Sequence, residues 1–135
     1  MAGHEEPHRA APCSAADGHV YIGVDTGRLF HKVSASDGEL IRYFDGGAYF
    51  VGSAALAPSP ADLVYVGNDT GRFYALRQTT LSPPVASHPT AGYICSSPAI
   101  SYAAEPNARW VYVVSRGDNG RGDGKGTLYA FRTQR

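Results

Sequence analysis

From His19 to Phe30 the chain reads HVYIGVDTGRLF, a short apolar run, a polar break, then a second apolar run. The same wave returns over residues 63–74 as LVYVGNDTGRFY, and again from Trp110 as WVYVVSRGDNGRGDGKGTLYAF. Runs of four to six residues rich in Val, Tyr and Phe, bounded by Gly, Asp, Asn and Ser, are strand signals with hairpin turns between them. No window sustains a 3.6-residue apolar period with caps, so no helix is predicted. Strands are expected over Cys13–Ala16, His19–Val24, Arg28–Val33 and Glu39–Phe44; over Phe50–Leu56, Leu63–Gly67 and Arg72–Leu76; and over Ile94–Ser101, Trp110–Ser115 and Thr127–Arg132. The stretch LSPPVASHPT (81–90) holds three prolines, which suits an edge strand or a loop. Val64, Tyr65 and Val66 are consecutive and apolar, as are Phe73, Tyr74, Ala75 and Leu76. Such runs fit a sheet covered on both faces rather than one with a wet side.

The register of these waves is a repeat. Val20-Tyr21 recurs 44 residues on as Val64-Tyr65 and a further 47 on as Val111-Tyr112. AYFVGSAAL (48–56) returns as GYICSSPAI (92–100), again 44 residues on, and FYALR (73–77) returns as LYAFR (128–132). A repeat of 40–50 residues with up to four strands has the size of a propeller blade. The predicted organisation is a disordered segment over 1–11 followed by units of about 12–47, 48–91 and 92–135, the last without its outer strand.

Three segments make the pattern specific: SSPAI (96–100), DLVYVGNDTGRFYAL (62–76) and SASDGEL (34–40). Together they resemble the pyrroloquinoline-quinone (PQQ) type repeat of quinoprotein-like β-propellers, over about residues 12–132. The resemblance implies an all-β fold, a partial β-propeller of about three antiparallel blades with the last incomplete. Propellers close with 4–8 blades, so the chain is expected to be a fragment of a larger propeller or a protomer that completes a ring as a homo-oligomer. It further implies a non-catalytic binding or scaffold module whose partners are proteins or remaining blades. The alternative is a fragment of a PQQ-dependent dehydrogenase whose catalytic blades lie elsewhere. PQQ and Ca²⁺ belong only to a full-length propeller, and none is expected on this chain. The blade-docking segment of the family is worn here: Ser34 stands for Asp, Gly38 is kept, Arg42 stands for Trp, and Leu81 takes the glycine position in the second unit.

Asp25-Thr26-Gly27 and Asp69-Thr70-Gly71 match an aspartic-protease signature, which requires two carboxylates about 3 Å apart sharing a proton. Arg28 and Arg72 follow them and would favour ionised carboxylates. Structural turns are expected instead, with Gly27 and Gly71 at positive φ and the aspartates accepting from turn amides. HEEPH (4–8) matches a zinc-protease pattern, but Pro7 breaks the helix the pattern needs. The loop SRGDNGRGDGKG (115–126) contains Arg-Gly-Asp twice, and Asp118 and Asp123 are its candidate metal ligands, without the alternation of a Ca²⁺ loop. Cys13 and Cys95 are expected as small buried side chains on separate units, too far apart for a disulfide.

Twelve Lys and Arg balance twelve Asp and Glu, which leaves no electrostatic footprint for nucleic acid. No apolar run approaches the roughly 18 residues of a membrane span. The first residues lack the apolar core of a signal peptide, and relatives with such repeats are often periplasmic or secreted, so the sequence assigns no compartment.

Overall fold

A computed structural model describes residues 18–23, 28–50, 52–57, 61–94, 96–101, 108–116 and 126–134. The fold is all-β, with ten strands among the described residues: β1 (His19–Gly23), β2 (Leu29–Ser34), β3 (Leu40–Asp45), β4 (Ala55–Ala57), β5 (Leu63–Gly67), β6 (Arg72–Arg77), β7 (Ala86–Pro89), β8 (Ala99–Ser101), β9 (Ala108–Arg116) and β10 (Gly126–Gln134). They form three antiparallel sheets, β1-β2-β3, β4-β5-β6-β7 and β8-β9-β10, each a meander of sequence neighbours. These are three blades of a partial β-propeller. Among the described residues, blade 2 has all four strands, blade 1 the second to fourth, and blade 3 the first to third. The predicted strand Cys13–Ala16 lies outside the described residues.

Blade 2 shows why its strands carry apolar residues without alternation. Side chains of a strand point to opposite faces. Val64, Val66, Tyr74 and Leu76 form one core with Tyr21, Phe30 and Phe44 of blade 1 and with Phe50, Ala54 and Leu81. Tyr65 and Phe73, from the opposite face, join Ile94, Val111 and Val113, against which Ala75, Tyr129 and Phe131 pack. Phe44 meets Tyr74 edge-on with ring centroids 4.9 Å apart, and Phe50 lies 5.7 Å from Phe30. On the other side Phe73 stacks on Phe131 at 5.2 Å.

Close backbone approach sets the blade spacing. A Cβ on Gly67 would stand 2.6 Å from Cβ of Ile94, and one on Gly23 would stand 2.8 Å from the carbonyl oxygen of Phe50. Phe50 and Ile94 are themselves fully buried and sit in corresponding places in the two interblade segments. Each segment also bonds the corner of the blade it follows or enters: Asp69 N–H donates to the Tyr49 carbonyl at 2.9 Å, and Arg116 N–H to the Tyr93 carbonyl at 2.7 Å.

Of the two alternatives for the proline-rich 81–90 segment, the edge strand holds: β7 pairs with β6 from Arg72↔Pro89 to Ala75↔Ala86, and its prolines stand at or beyond its ends, as an edge strand requires. Two sequence expectations change. The inner strands are shorter than predicted, three residues each in β4 and β8. The second change concerns register. Gly67 pairs with Phe73, but Gly23 pairs with Phe30. Residues 24–29 therefore span the first corner and 68–72 the second, one residue fewer. A one-residue slip exchanges the two faces of a strand, so Phe30 corresponds to Phe73 and not, as the sequence repeat aligns it, to Tyr74. Arg28, at φ 61°, takes up the extra residue in a left-handed conformation.

Candidate functional site

The Asp-Thr-Gly corner of blade 2 is a closed turn. Gly71 N–H donates to the Asn68 carbonyl at 3.2 Å and Asn68 N–H to the Arg72 carbonyl at 3.0 Å. Gly71 takes φ 94°, with its missing Cβ space filled by the Gly92 carbonyl at 2.8 Å, the pattern of a turn followed by a glycine bulge. The side-chain acceptor is Asn68 rather than the expected Asp69. Asn68 Oδ1 accepts from Thr70 N–H at 3.1 Å, Thr70 Oγ1 at 2.9 Å and Arg72 N–H at 3.0 Å. Asn68 is fully buried, and the unit-one counterpart is Val24, so the sequence repeat hid this role. Arg72 donates to Ser87 Oγ at 3.1 Å, across to β7. Asp25 and Gly27 lie outside the described residues, as do Asp118, Asp123, Cys13 and Cys95. Among the described residues, no three or more His, Cys, Asp or Glu side chains gather as a metal set. Nor is any described helix long and apolar enough to cross a membrane.

Two large apolar faces are only partly covered among the described residues. Blade 1 turns Tyr21, Phe30 and Lys32 toward blade 2. Strand alternation leaves Val20, Ile22, His31, Val33 and Tyr43 on its other face, where Tyr43 is 54% exposed. Burial pushes the His31 imidazole below its ordinary value. Blade 3 turns Val111, Val113, Tyr129 and Phe131 toward blade 2 and leaves Trp110, Tyr112, Val114, Leu128 and Ala130 on its far face, with Leu128 65% exposed. By position, the blade 1 face matches the face that blades 2 and 3 bury against the preceding blade. The blade 3 face matches the one that blades 1 and 2 bury against the following blade.

Between blades 2 and 3 lies a cavity of about 330 Å³. Its walls include Phe73 and Ala75 of β6, Ala86 and His88 of β7, and Phe131 of β10. His88 meets the Phe131 ring edge-on at 4.8 Å. Sequence reasoning missed this site because its walls come from strands of two blades, and no run of neighbouring residues marks it.

A half-buried polar clamp joins blades 1 and 2. Lys32 Nζ donates to the Gln78 carbonyl at 2.8 Å, and Tyr21 Oη donates to the same oxygen at 3.1 Å. Gln78 Nε2 in turn donates to the carbonyls of Ala57 and Leu63. These bonds tie side chains of two blades to backbone carbonyls, the pattern of a fastening.

The sequence matches no protein-family model and no curated protein. In fold the chain is similar to BamB from Moraxella catarrhalis, with a TM-score of 0.63 at 12% sequence identity. The match covers 94% of this chain and 34% of that one, so the chain spans about a third of the length of the solved structure it resembles. The likeness shows the fold: three blades of a propeller-type arc.

Proposed function

We propose that the chain is a non-catalytic scaffold module, an arc of quinoprotein-like blades that docks onto further blades through its two open faces. One observation carries this reading. The outward, partly covered faces of blades 1 and 3 correspond, position by position, to the faces that the internal blade interfaces bury. Blade 1 offers Val20, Ile22 and Val33 where blade 2 offers Val64, Val66 and Leu76 to its predecessor. Blade 3 offers Tyr112 and Leu128 where blade 2 offers Tyr65 and Phe73 to its successor. Contiguous apolar faces of this kind mark association surfaces. The further blades come from a longer polypeptide or from a second copy, and the similarity to one third of a larger solved chain supports the same reading.

The test is sedimentation equilibrium of the chain alone and with the variants Tyr43→Arg and Leu128→Arg. Concentration-dependent association weakened by either variant is the expected result. A monomer of unchanged mass at all concentrations, with no binding of apolar dyes to either face, removes the reading.

A further inference from the structure

We infer that the cavity between blades 2 and 3 binds a short primary alkylammonium compound, its stem along Ala75 and its ammonium against the Tyr65 ring. The template for this site stands at the other blade interface of the same chain. There Lys32 is buried, at 7% exposed. Its Nζ lies 5.7 Å from the centroid of the Tyr21 ring and donates to the Gln78 carbonyl at 2.8 Å. A lysine thus lays an apolar stem between blades 1 and 2, and an aromatic ring faces its charge.

Strand register finds the same two positions one blade on. Tyr21 pairs with Lys32, and Tyr65 pairs with Ala75. Each pair lies two residues along from its corner pair, Gly23↔Phe30 in one blade and Gly67↔Phe73 in the other. Tyr65 therefore repeats Tyr21, and it is about as deeply buried, at 4% exposed against 2%. Ala75 takes the place of Lys32. The sequence repeat conceals this, because Leu76 stands 44 residues on from Lys32. The one-residue difference between the two corners brings Ala75 into the lysine position.

An alanine there keeps the Cβ of lysine and lacks the rest of its stem and the ammonium. The cavity of about 330 Å³ lies at this place, with Tyr65 and Ala75 in its wall beside Phe73 and Phe131. A mostly apolar wall with few polar groups is the usual lining of a small-molecule site. The second interface thus keeps the ring that faces a cation in the first, without the side chain that delivers one. A linear stem of about three to five carbons replaces the missing arm and reaches on toward Val85. Two arginines stand near. Strand alternation turns Arg132 away from blade 2, opposite to Phe131. Arg77, paired with Leu63, is exposed like Arg132, so both charges act through water and are screened. The site lies between two blades of this chain and is independent of the docking of further blades proposed above.

The probe is n-butylammonium chloride, titrated into the full chain while the ring resonances of Tyr65, Phe73 and Phe131 are followed by NMR. Saturable shifts of these rings are expected at millimolar concentration. Two compounds of the same length, n-butanol with a neutral head and butyrate with an anionic one, should bind at least about threefold more weakly, because only the ammonium gains from the Tyr65 ring. Ala75→Lys tethers the same group to the chain and should abolish the response. Ala75→Met fills the arm with a neutral stem and should weaken binding at least tenfold, which keeps the test open should the lysine variant fold poorly. Equal binding of butanol or butyrate, shifts that map away from Tyr65 and Phe131, or unchanged affinity in the folded methionine variant would each overturn the inference.

Discussion

Leu81 offers a stringent test of the interblade packing. It takes φ 65°, the left-handed region, and its side chain is fully buried in the core between blades 1 and 2. Its N–H donates to the Arg77 carbonyl at 2.9 Å, just as Gly38 N–H donates to Ser34 in blade 1 at 2.8 Å. Gly38 has φ 76°. The same backbone turn thus carries glycine in one blade and leucine in the other. For an L-residue the left-handed conformation costs about 1–2 kcal/mol, whereas Leu→Ala in a core costs roughly 2.7–5 kcal/mol. Burial wins, which is why leucine is tolerated there. Leu81→Ala removes the packing and keeps the strain, so a loss of about 3 kcal/mol is expected. Leu81→Gly removes slightly more packing but relieves the strain, so its loss should be equal to or smaller than that of alanine. The usual order is the reverse, with glycine roughly 0.5–1 kcal/mol worse than alanine within an element. Urea unfolding measures both, with the m-value checked for constancy. Gly38→Ala isolates the backbone contribution, because a Cβ there meets nothing within 4 Å; it should cost about 1 kcal/mol. If Leu81→Gly proves at least 1 kcal/mol less stable than Leu81→Ala, the strain argument fails. If both lie within 0.5 kcal/mol of the parent, Leu81 does not hold the blades together.

Other outcomes follow from single contacts. Asn68→Ala should destabilise by about 1–3 kcal/mol in urea unfolding, since two turn amides lose their acceptor, whereas Asp69→Asn should shift stability by less than about 0.5 kcal/mol. Gly67→Ala forces a Cβ into Ile94 and should cost about 1–3 kcal/mol or more, read as a lowered thermal midpoint. Gln78→Ala should cost about 1–2 kcal/mol by chemical denaturation, because the half-buried clamp loses both amide bonds. His31 favours its neutral form in the fold, so the unfolded chain binds the proton more readily. The stability from this residue is complete above about pH 6.5 and declines as pH falls through the lowered folded value. His31→Phe should flatten that dependence in unfolding curves taken from pH 7.5 down to 5.

Much of this fold was legible because blade repeats write themselves into spacing. Val64-Tyr65-Val66 announces a strand buried on both sides, and the structure places Val64 and Val66 on one core and Tyr65 on the other. The proline-rich outer strand of blade 2 was harder to read. β7 is four exposed residues held mainly by pairing to β6, and backbone pairing leaves no apolar signature. The cavity was not legible for a related reason: its walls are shared between β5, β6, β7 and β10, which lie far apart in the sequence.

The Asp-Thr-Gly copies show where equal spacing stops implying equal structure. GVDTGRLF and GNDTGRFY align without a gap, yet one corner spans residues 24–29 and the other 68–72. The difference is set by what must be buried. In blade 2, Asn68 closes the turn with three accepted bonds and Phe73 meets Phe131. In blade 1 the position of Asn68 is Val24, which offers no acceptor. The strand instead shifts by one residue, so that Phe30 rather than Leu29 enters the aromatic cluster with Phe50. Placing Phe30 fully inside gains about 1.5–3 kcal/mol over leaving it in water, comparable to the left-handed cost at Arg28. Tertiary packing therefore chooses the register, and the turn sequence adapts to it. Val24→Asn should supply the missing acceptor and favour the shorter corner. If hydrogen exchange at Phe30 and His31 is unchanged in that variant, the register is held by the aromatic cluster alone; protection that moves by one residue would assign the choice to the turn.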